Sequence, residues 1–337
     1  MLRTQTIAEK ETLNLFYAEP DPDRWLPFDR YPRRLIRRVV RGKRNPGGQE
    51  RVFLNLCAGL DKIGVPYRAN DYAYARTHPE EIACVIGKPH LLDAVSWRNP
   101  ILFGAAVFSH PSDDPHLLER KRVKRILVPG EWIRDMFEPY YGDKVIAWPV
   151  GIDTERWSPA PEETKEVDFL LYDKVRWEHE RYETSLIRPI REALQRRALS
   201  FADLRYGSYR EAEFEGLLKR CRAMIFLCEH ETQGLAYQQA LSAGVPILAW
   251  DRGGYWQDPT YYPARAKYGP VSSVPYWDER CGTRFSDIKD FESRLEVFLA
   301  ALTEDRFHPR EFILEGLTLE ACAQKYVEIW RTVREEL

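Results

Sequence analysis

Short apolar runs alternate along the chain with longer segments in which apolar residues recur every three to four positions. The runs predict buried strands and the longer segments predict amphipathic helices. In the first half the strands fall at 13–18, 82–86, 101–108, 125–128 and 145–148. Helices are expected at 49–63, with apolar Val52, Phe53, Leu56 and Leu60, and at 91–95 and 130–137. Alternation of this kind predicts a parallel sheet wrapped by helices.

The pattern breaks over 147–163 (AWPVGIDTERWSPAPEE), which has three prolines and no period and reads as a linker. Beyond it strands are expected at 167–172, 202–206, 223–228 and 246–250. Helices follow at 184–197, 209–220 and 235–243, with a long closing helix at 317–335. The expectation is an α/β chain of two doubly wound, Rossmann-like domains that hold any ligand in the cleft between them.

Composition supports this reading. The 337 residues suffice for two domains, and 44% hydrophobic with 30% charged residues argues against disorder. The longest clean apolar run, Ile101–Phe108, falls far short of the ~20 residues of a membrane-spanning helix. The first thirty residues show no apolar secretion signal, so the expected location is cytoplasmic. Six cysteines are spread along the chain without a C-x-x-C pair, which gives no support to a disulfide framework or a structural zinc site.

The net charge of −2 hides an asymmetry. Residues 1–150 carry 24 Lys and Arg against 19 Asp and Glu, and residues 151–337 carry 26 against 33. Much of the basic excess lies in Arg30–Arg44, with Leu35, Ile36, Val39 and Val40 between the arginines. Such a stretch suits a membrane-surface element or a grip on an anionic acceptor, or else a solvated basic helix or loop. No nucleic-acid partner is expected, because no recognised binding motif accompanies it.

The most informative segment is FLCEHETQGLAYQQALSAGVPILAWDRGG (Phe226–Gly254). An apolar strand ends in a polar loop, and Gly234 opens a helix. A strand end facing a helix N-terminus is where α/β sheets take anions. Glu231 suits sugar hydroxyls beside such an anion, or is simply an acid favoured by the helix dipole.

At these residues the chain resembles the GT-B glycosyltransferases of family 4 (glycosyl transferases group 1). Glu231, Gly234, Leu235, Ala240 and Gly244–Val245–Pro246 match that signature, while Gln239 stands where its second acid is usual. WPVGIDTERWSP (Trp148–Pro159) is similar to the family's interdomain segment, and GGQERVFLNLCAGLDKIGVPY (Gly47–Tyr67) to its Gly-Gly loop and first helix. ILFGAAVFSHP resembles the strand that ends in a cleft histidine, here His110, and LTLEACAQKYVEIW the returning C-terminal helix.

The resemblance implies a GT-B fold. Residues 1–150 form an acceptor-side domain, 151–315 a nucleotide-sugar domain, and 316–337 a helix packing back on the first. It also implies transfer of a sugar from a nucleotide diphosphate donor to a hydroxyl of a glycan, polysaccharide or lipid-linked saccharide. Retention of configuration is favoured and no metal or other cofactor is expected. Glu231 would hold the sugar and His110 the reaction centre. Lys174 and Arg176, with Arg181 sharing the role, would hold the diphosphate beside the amides of Gly234 and Leu235, and Gln239 would take the ribose. Gly47 and Gly48 would close the site from the first domain, unless they form a plain turn.

Asp113 and Asp114, with His110 and His116, make a compact cluster that would either position an acceptor hydroxyl or, less in keeping with its spacing, ligate a metal. Asp21-Pro22-Asp23 reads as a loop coincidence with the D-x-D pattern of another transferase fold. Alternatives are an inverting transferase or nucleotide-sugar epimerase on the same fold, and a non-catalytic sugar-nucleotide-binding subunit, the last motivated by Gln239. The arginine run makes a peripheral position at the inner face of a membrane a further expectation.

Overall fold

The computed structural model describes residues 11–19, 47–105 and 108–337. Both Arg30–Arg44 and Asp21–Asp23 lie outside the described residues. The first sheet comprises β1 (Leu13–Phe16), β2 (Tyr67–Ala69), β3 (Ala83–Val85), β4 (Ile101–Phe103), β5 (Val123–Val128) and β6 (Val145–Ala147), in the order β2-β1-β3-β4-β5-β6. The second comprises β7 (Val167–Asp173), β8 (Phe201–Arg205), β9 (Cys221–Leu227), β10 (Ile247–Trp250) and β11 (Gly282–Phe285), in the order β11-β10-β9-β7-β8. All pairings are parallel. Helices cover both faces of each sheet, so Phe169–Asp173 and Ala223–Leu227 are buried without alternation. The two sheets form two Rossmann-like domains.

Several elements differ from the sequence expectation. The strand expected over 101–108 ends at Phe103. The helix expected over 184–197 starts earlier, at His179–Tyr182, and passes through a π turn at Glu183–Ile187 before Arg188–Arg196. Pro189 lacks an N–H and crowds the carbonyl four residues back, and the wider turn accommodates it. The pattern assigns neither β2 nor β11, which are short edge strands with few apolar residues. Nor does it assign the helices Ile288–Thr303 and Pro309–Gly316.

The stretch 147–163 is not an exposed linker. Trp148, Val150, Ile152 and Trp157 are buried. Trp148 Nε1 donates to the Cys322 carbonyl at 2.9 Å, and Ile152 N–H to the Leu317 carbonyl at 2.8 Å. The side-chain amide of Gln233 meets both the N–H and the carbonyl of Val150, at 3.0 and 2.7 Å. This crossing is therefore packed against the closing helix, Leu319–Glu335. That helix lies on the first-domain helix Gly48–Ile63, where a Cβ at Gly59 would sit 2.4 Å from the Leu319 carbonyl oxygen, so only glycine permits the approach.

A second connection joins the halves. Residues 252–276, between β10 and β11, form a strap whose Trp256, Tyr261 and Val271 are buried with first-domain Phe16, Ile133 and Phe137.

Candidate functional site

The second sheet reverses direction between β7 and β9, because the chain winds out to β8 and returns on the other side of β7. Loops leaving the carboxyl ends of such strands diverge and open a crevice. The loop after β7 carries Lys174 and Arg176, and the loop after β9 carries Glu229, His230 and Glu231. The crevice opens into a cleft of about 770 Å³ between the domains. Lys174, Arg176, Glu231, Gly234, Leu235 and Gln239 line one wall. Glu19, Gly47, Gly48, Arg51, Lys88 and Ala105 line the other.

Lys174 and Glu231 are both largely buried, and the ammonium is ion-paired with the carboxylate. Lys174 Nζ also lies 4.5 Å from the centre of the Tyr206 ring. Burial by itself pulls a lysine pKa down, but the Glu231 carboxylate outweighs it and Lys174 stays above its ordinary value. The pair keeps a positive charge and its counter-charge at the bottom of the cleft.

The main chain of Glu231 is held on both sides. Its N–H donates to the Ser272 carbonyl at 2.9 Å, and its carbonyl accepts Trp132 Nε1–H at 2.8 Å. Three residues on, Gly234 adopts φ +86° and ψ +61°. A Cβ there would lie 2.1 Å from Tyr237 Cε1, so the turn demands glycine. It starts the helix Leu235–Ser242, whose free N–H groups open onto the cleft.

Arg51, on the first-domain helix, donates from Nη2 to both carboxylate oxygens of Glu211 at 2.8 Å. Both residues line the cleft, so this contact bridges it.

Four of the candidate residues lie elsewhere. Arg181 pairs with Glu178 at 2.7 Å on the exposed surface and does not border the cleft. His110 is not a cleft residue, because the strap covers it. Its ring stacks on Trp256 at 5.8 Å and 14°, Tyr261 and Tyr140 flank it, and Nδ1 meets Ser112 Oγ at 2.8 Å. Burial lowers its pKa below the ordinary value. Asp113 accepts from Tyr261 OH and Arg265 of the strap, and Asp114 pairs with Arg120. Both acids border a separate cavity of about 240 Å³. Among the described residues no His, Cys, Asp and Glu group is arranged to hold a metal ion.

The sequence does not single out Arg51, Lys88, Tyr206 and Glu211, which stand on the cleft walls, or Glu229 and His230 behind one of them. The signal for the last two was an unusual one, three polar residues (Glu-His-Glu) directly after a fully apolar strand.

No family model matches the chain, and no curated protein matches it. Similar solved structures do exist. One is the lipopolysaccharide outer core galactosyltransferase WaaB, with 13% identity, TM-score 0.53, and 83% of this chain and 94% of that one covered. Another is TarM, with 14% identity, TM-score 0.53, and 83% and 58% covered. A third is the S. aureus TarM mutant in complex with fondaparinux, alpha-GlcNAc-glycerol and UDP, with 14% identity and TM-score 0.51. The chain thus spans less than two thirds of TarM. These likenesses show the fold, which is GT-B.

Proposed function

We propose, from a GT-B fold as premise, that the protein is a glycosyltransferase moving a sugar from a nucleotide diphosphate to a hydroxyl of a glycan or lipid-linked saccharide. The observation that carries this reading is the buried Lys174–Glu231 pair at the crevice between β7 and β9, beside the N-terminus of the helix Leu235–Ser242. In it Lys174, Arg176 and the first amides of that helix take the diphosphate, Glu231 holds sugar hydroxyls, and Gln239 takes the ribose. Gly47 and Gly48 face the same space from the first domain.

As the bond from the anomeric carbon to the diphosphate oxygen breaks, negative charge grows on the leaving group. Fixed cations and helix amides stabilise it there. The acceptor oxygen forms the new bond to that carbon and its proton passes to a diphosphate oxygen. Attack on the face the diphosphate leaves gives retention. In this reading the protein's own cations supply the charge, and no metal is invoked. No described helix is long and apolar enough to cross a membrane.

Thermal-shift screening with UDP-, GDP-, CMP- and dTDP-sugars tests the proposal. A ligand at 100 times its Kd adds about 2.7 kcal/mol of stability. Uridine nucleotides head the screen, because the S. aureus TarM complex holds UDP. No shift with any donor would overturn the reading.

A second reading, a sugar-nucleotide-binding subunit without transfer activity, is favoured by one observation. The histidine expected at the reaction centre is covered by the strap, and Ala105 stands on the cleft wall instead. Donor hydrolysis or transfer that vanishes in Glu231→Ala excludes it.

A further inference from the structure

Three consecutive residues in the loop after β9 face the loop after β7 and hold it. Glu229, 2% exposed, accepts the N–H groups of Arg176 and Trp177 at Oε1, at 2.8 and 2.9 Å. Glu231 pairs with Lys174. His230, between them, takes Arg176 Nη2 at both its carbonyl oxygen, 3.0 Å, and its ring Nδ1, 3.2 Å.

That last contact settles the state of the ring. A guanidinium has only donors, so Nδ1 is the acceptor and the proton sits on Nε2. The imidazole is buried among Trp132, Trp177 and Trp256, with ring centres at 5.8, 5.2 and 6.4 Å. Burial, reinforced by the cations Arg176, Arg252 and Lys174, pulls its pKa down to about 2. The ring therefore remains neutral, and Nδ1 remains an acceptor, throughout the physiological range.

Arg176 is held along one edge by His230, its Nε lies 3.8 Å from the buried Glu229 Oε2, and its guanidinium carbon lies 4.4 Å from the centre of the Trp177 ring. Its Nη1 has no hydrogen-bond partner among the described residues, and the side chain borders the cleft. A planar fork fixed on one side presents the other in a set direction, so little ordering remains when an anion arrives.

We infer that His230 is a positioning residue: it fixes Arg176 so that the Nη1 edge meets an oxygen of the bound diphosphate, without touching the ligand itself. This rests on the nucleotide-diphosphate reading above.

The test uses the full chain. It takes whichever of UDP, GDP, CDP or dTDP gives the largest thermal shift, with the matching nucleoside followed by NMR titration as control. His230→Phe keeps a ring and loses both nitrogens. It should weaken the diphosphate roughly tenfold, the scale of a lost hydrogen bond to a charged group, and leave the nucleoside unchanged. His230→Asn places an amide oxygen where Nδ1 stood and should recover most of the loss. His230→Gln, whose amide reaches the Nε2 position, should behave as His230→Phe and serves in its place if the latter folds poorly. Combined with Arg176→Ala, His230→Phe should add nothing further.

Wild-type diphosphate affinity in His230→Phe, equal losses for nucleoside and diphosphate, or losses additive with Arg176→Ala would each overturn the inference. A wild type that binds none of the four removes the nucleotide reading and the inference together. Binding that ignores His230 removes the inference alone.

Discussion

Trp132 Nε1 donates a 2.8 Å hydrogen bond to the main-chain carbonyl of Glu231. It lies in the first turn of a first-domain helix, Glu131–Tyr141, and so ties that domain to the loop bearing the acid at the heart of the proposed site. With Ser272 on the opposite side, the backbone at Glu231 is braced by the first domain and by the strap.

Trp132→Phe should therefore cost stability and donor affinity together. The ring's apolar body is largely kept, but a buried carbonyl loses its partner, a penalty of about 1–3 kcal/mol. Urea denaturation reads the first effect and calorimetric titration with the donor the second. A variant matching wild type in both would show that the brace contributes nothing.

Acid should destabilise the fold from about pH 6.5 downward. His230 and His110 both have pKa values below the ordinary 6.5, each mainly through burial, and His230 reaches about 2. The unfolded chain then takes up protons first. Stability is complete above pH 6.5 and declines as pH falls towards the folded-state value. Between pH 7 and pH 5 the share of His230 comes to about 2 kcal/mol. The unfolding free energies from urea denaturation at the two pH values should differ less in His230→Asn, by that amount, and an equal pH dependence in the two proteins would remove His230 as its source.

The Arg51–Glu211 contact should act as a modest clasp. Its side chains are 19% and 25% exposed, so solvent screens the pair and its worth is at most about 1 kcal/mol. A double-mutant cycle with Arg51→Ala and Glu211→Ala should give a coupling energy of that size, shrinking in high salt. A coupling of zero would mean that the bridge over the cleft does not hold it closed.

Gly234→Ala should abolish nucleotide binding while leaving a folded protein. The left-handed backbone and the nearby Tyr237 ring force the turn to rearrange, at a cost on the order of 1–3 kcal/mol. Circular dichroism should remain that of an α/β protein, and the thermal shift with the best donor should vanish. Retained binding would place the anion away from this helix terminus.

The layered architecture was legible because strands such as Phe169–Asp173 are buried on both faces and read as unbroken apolar runs. β2 and β11 were not, since edge strands of three or four residues leave no pattern. The strap was equally hidden, as Trp256, Tyr261 and Val271 recur at no helical or strand period. Lys174, Arg176, Glu231, Gly234 and Gln239 come together because each lies at a strand end or the helix start around one crevice, which the strand–loop–helix pattern already implied. His110 lies away from the cleft for the converse reason. A residue after a strand projects towards the cleft only if nothing covers it, and its cover comes from about 145 residues further along the chain. Nor does the sequence reveal that Glu229 turns back to hold the loop after β7.

The strap also bears on recombination. Trp256 and Tyr261 fill the interior of the first domain, while Tyr326 and Trp330 of the closing helix fill its other face. Halves exchanged with a similar protein at the crossing near Trp148–Pro159 would leave two holes in the recipient and two apolar flaps on the donor. A workable chimera has to move the strap and the closing helix along with the first 150 residues, as three separate pieces of chain.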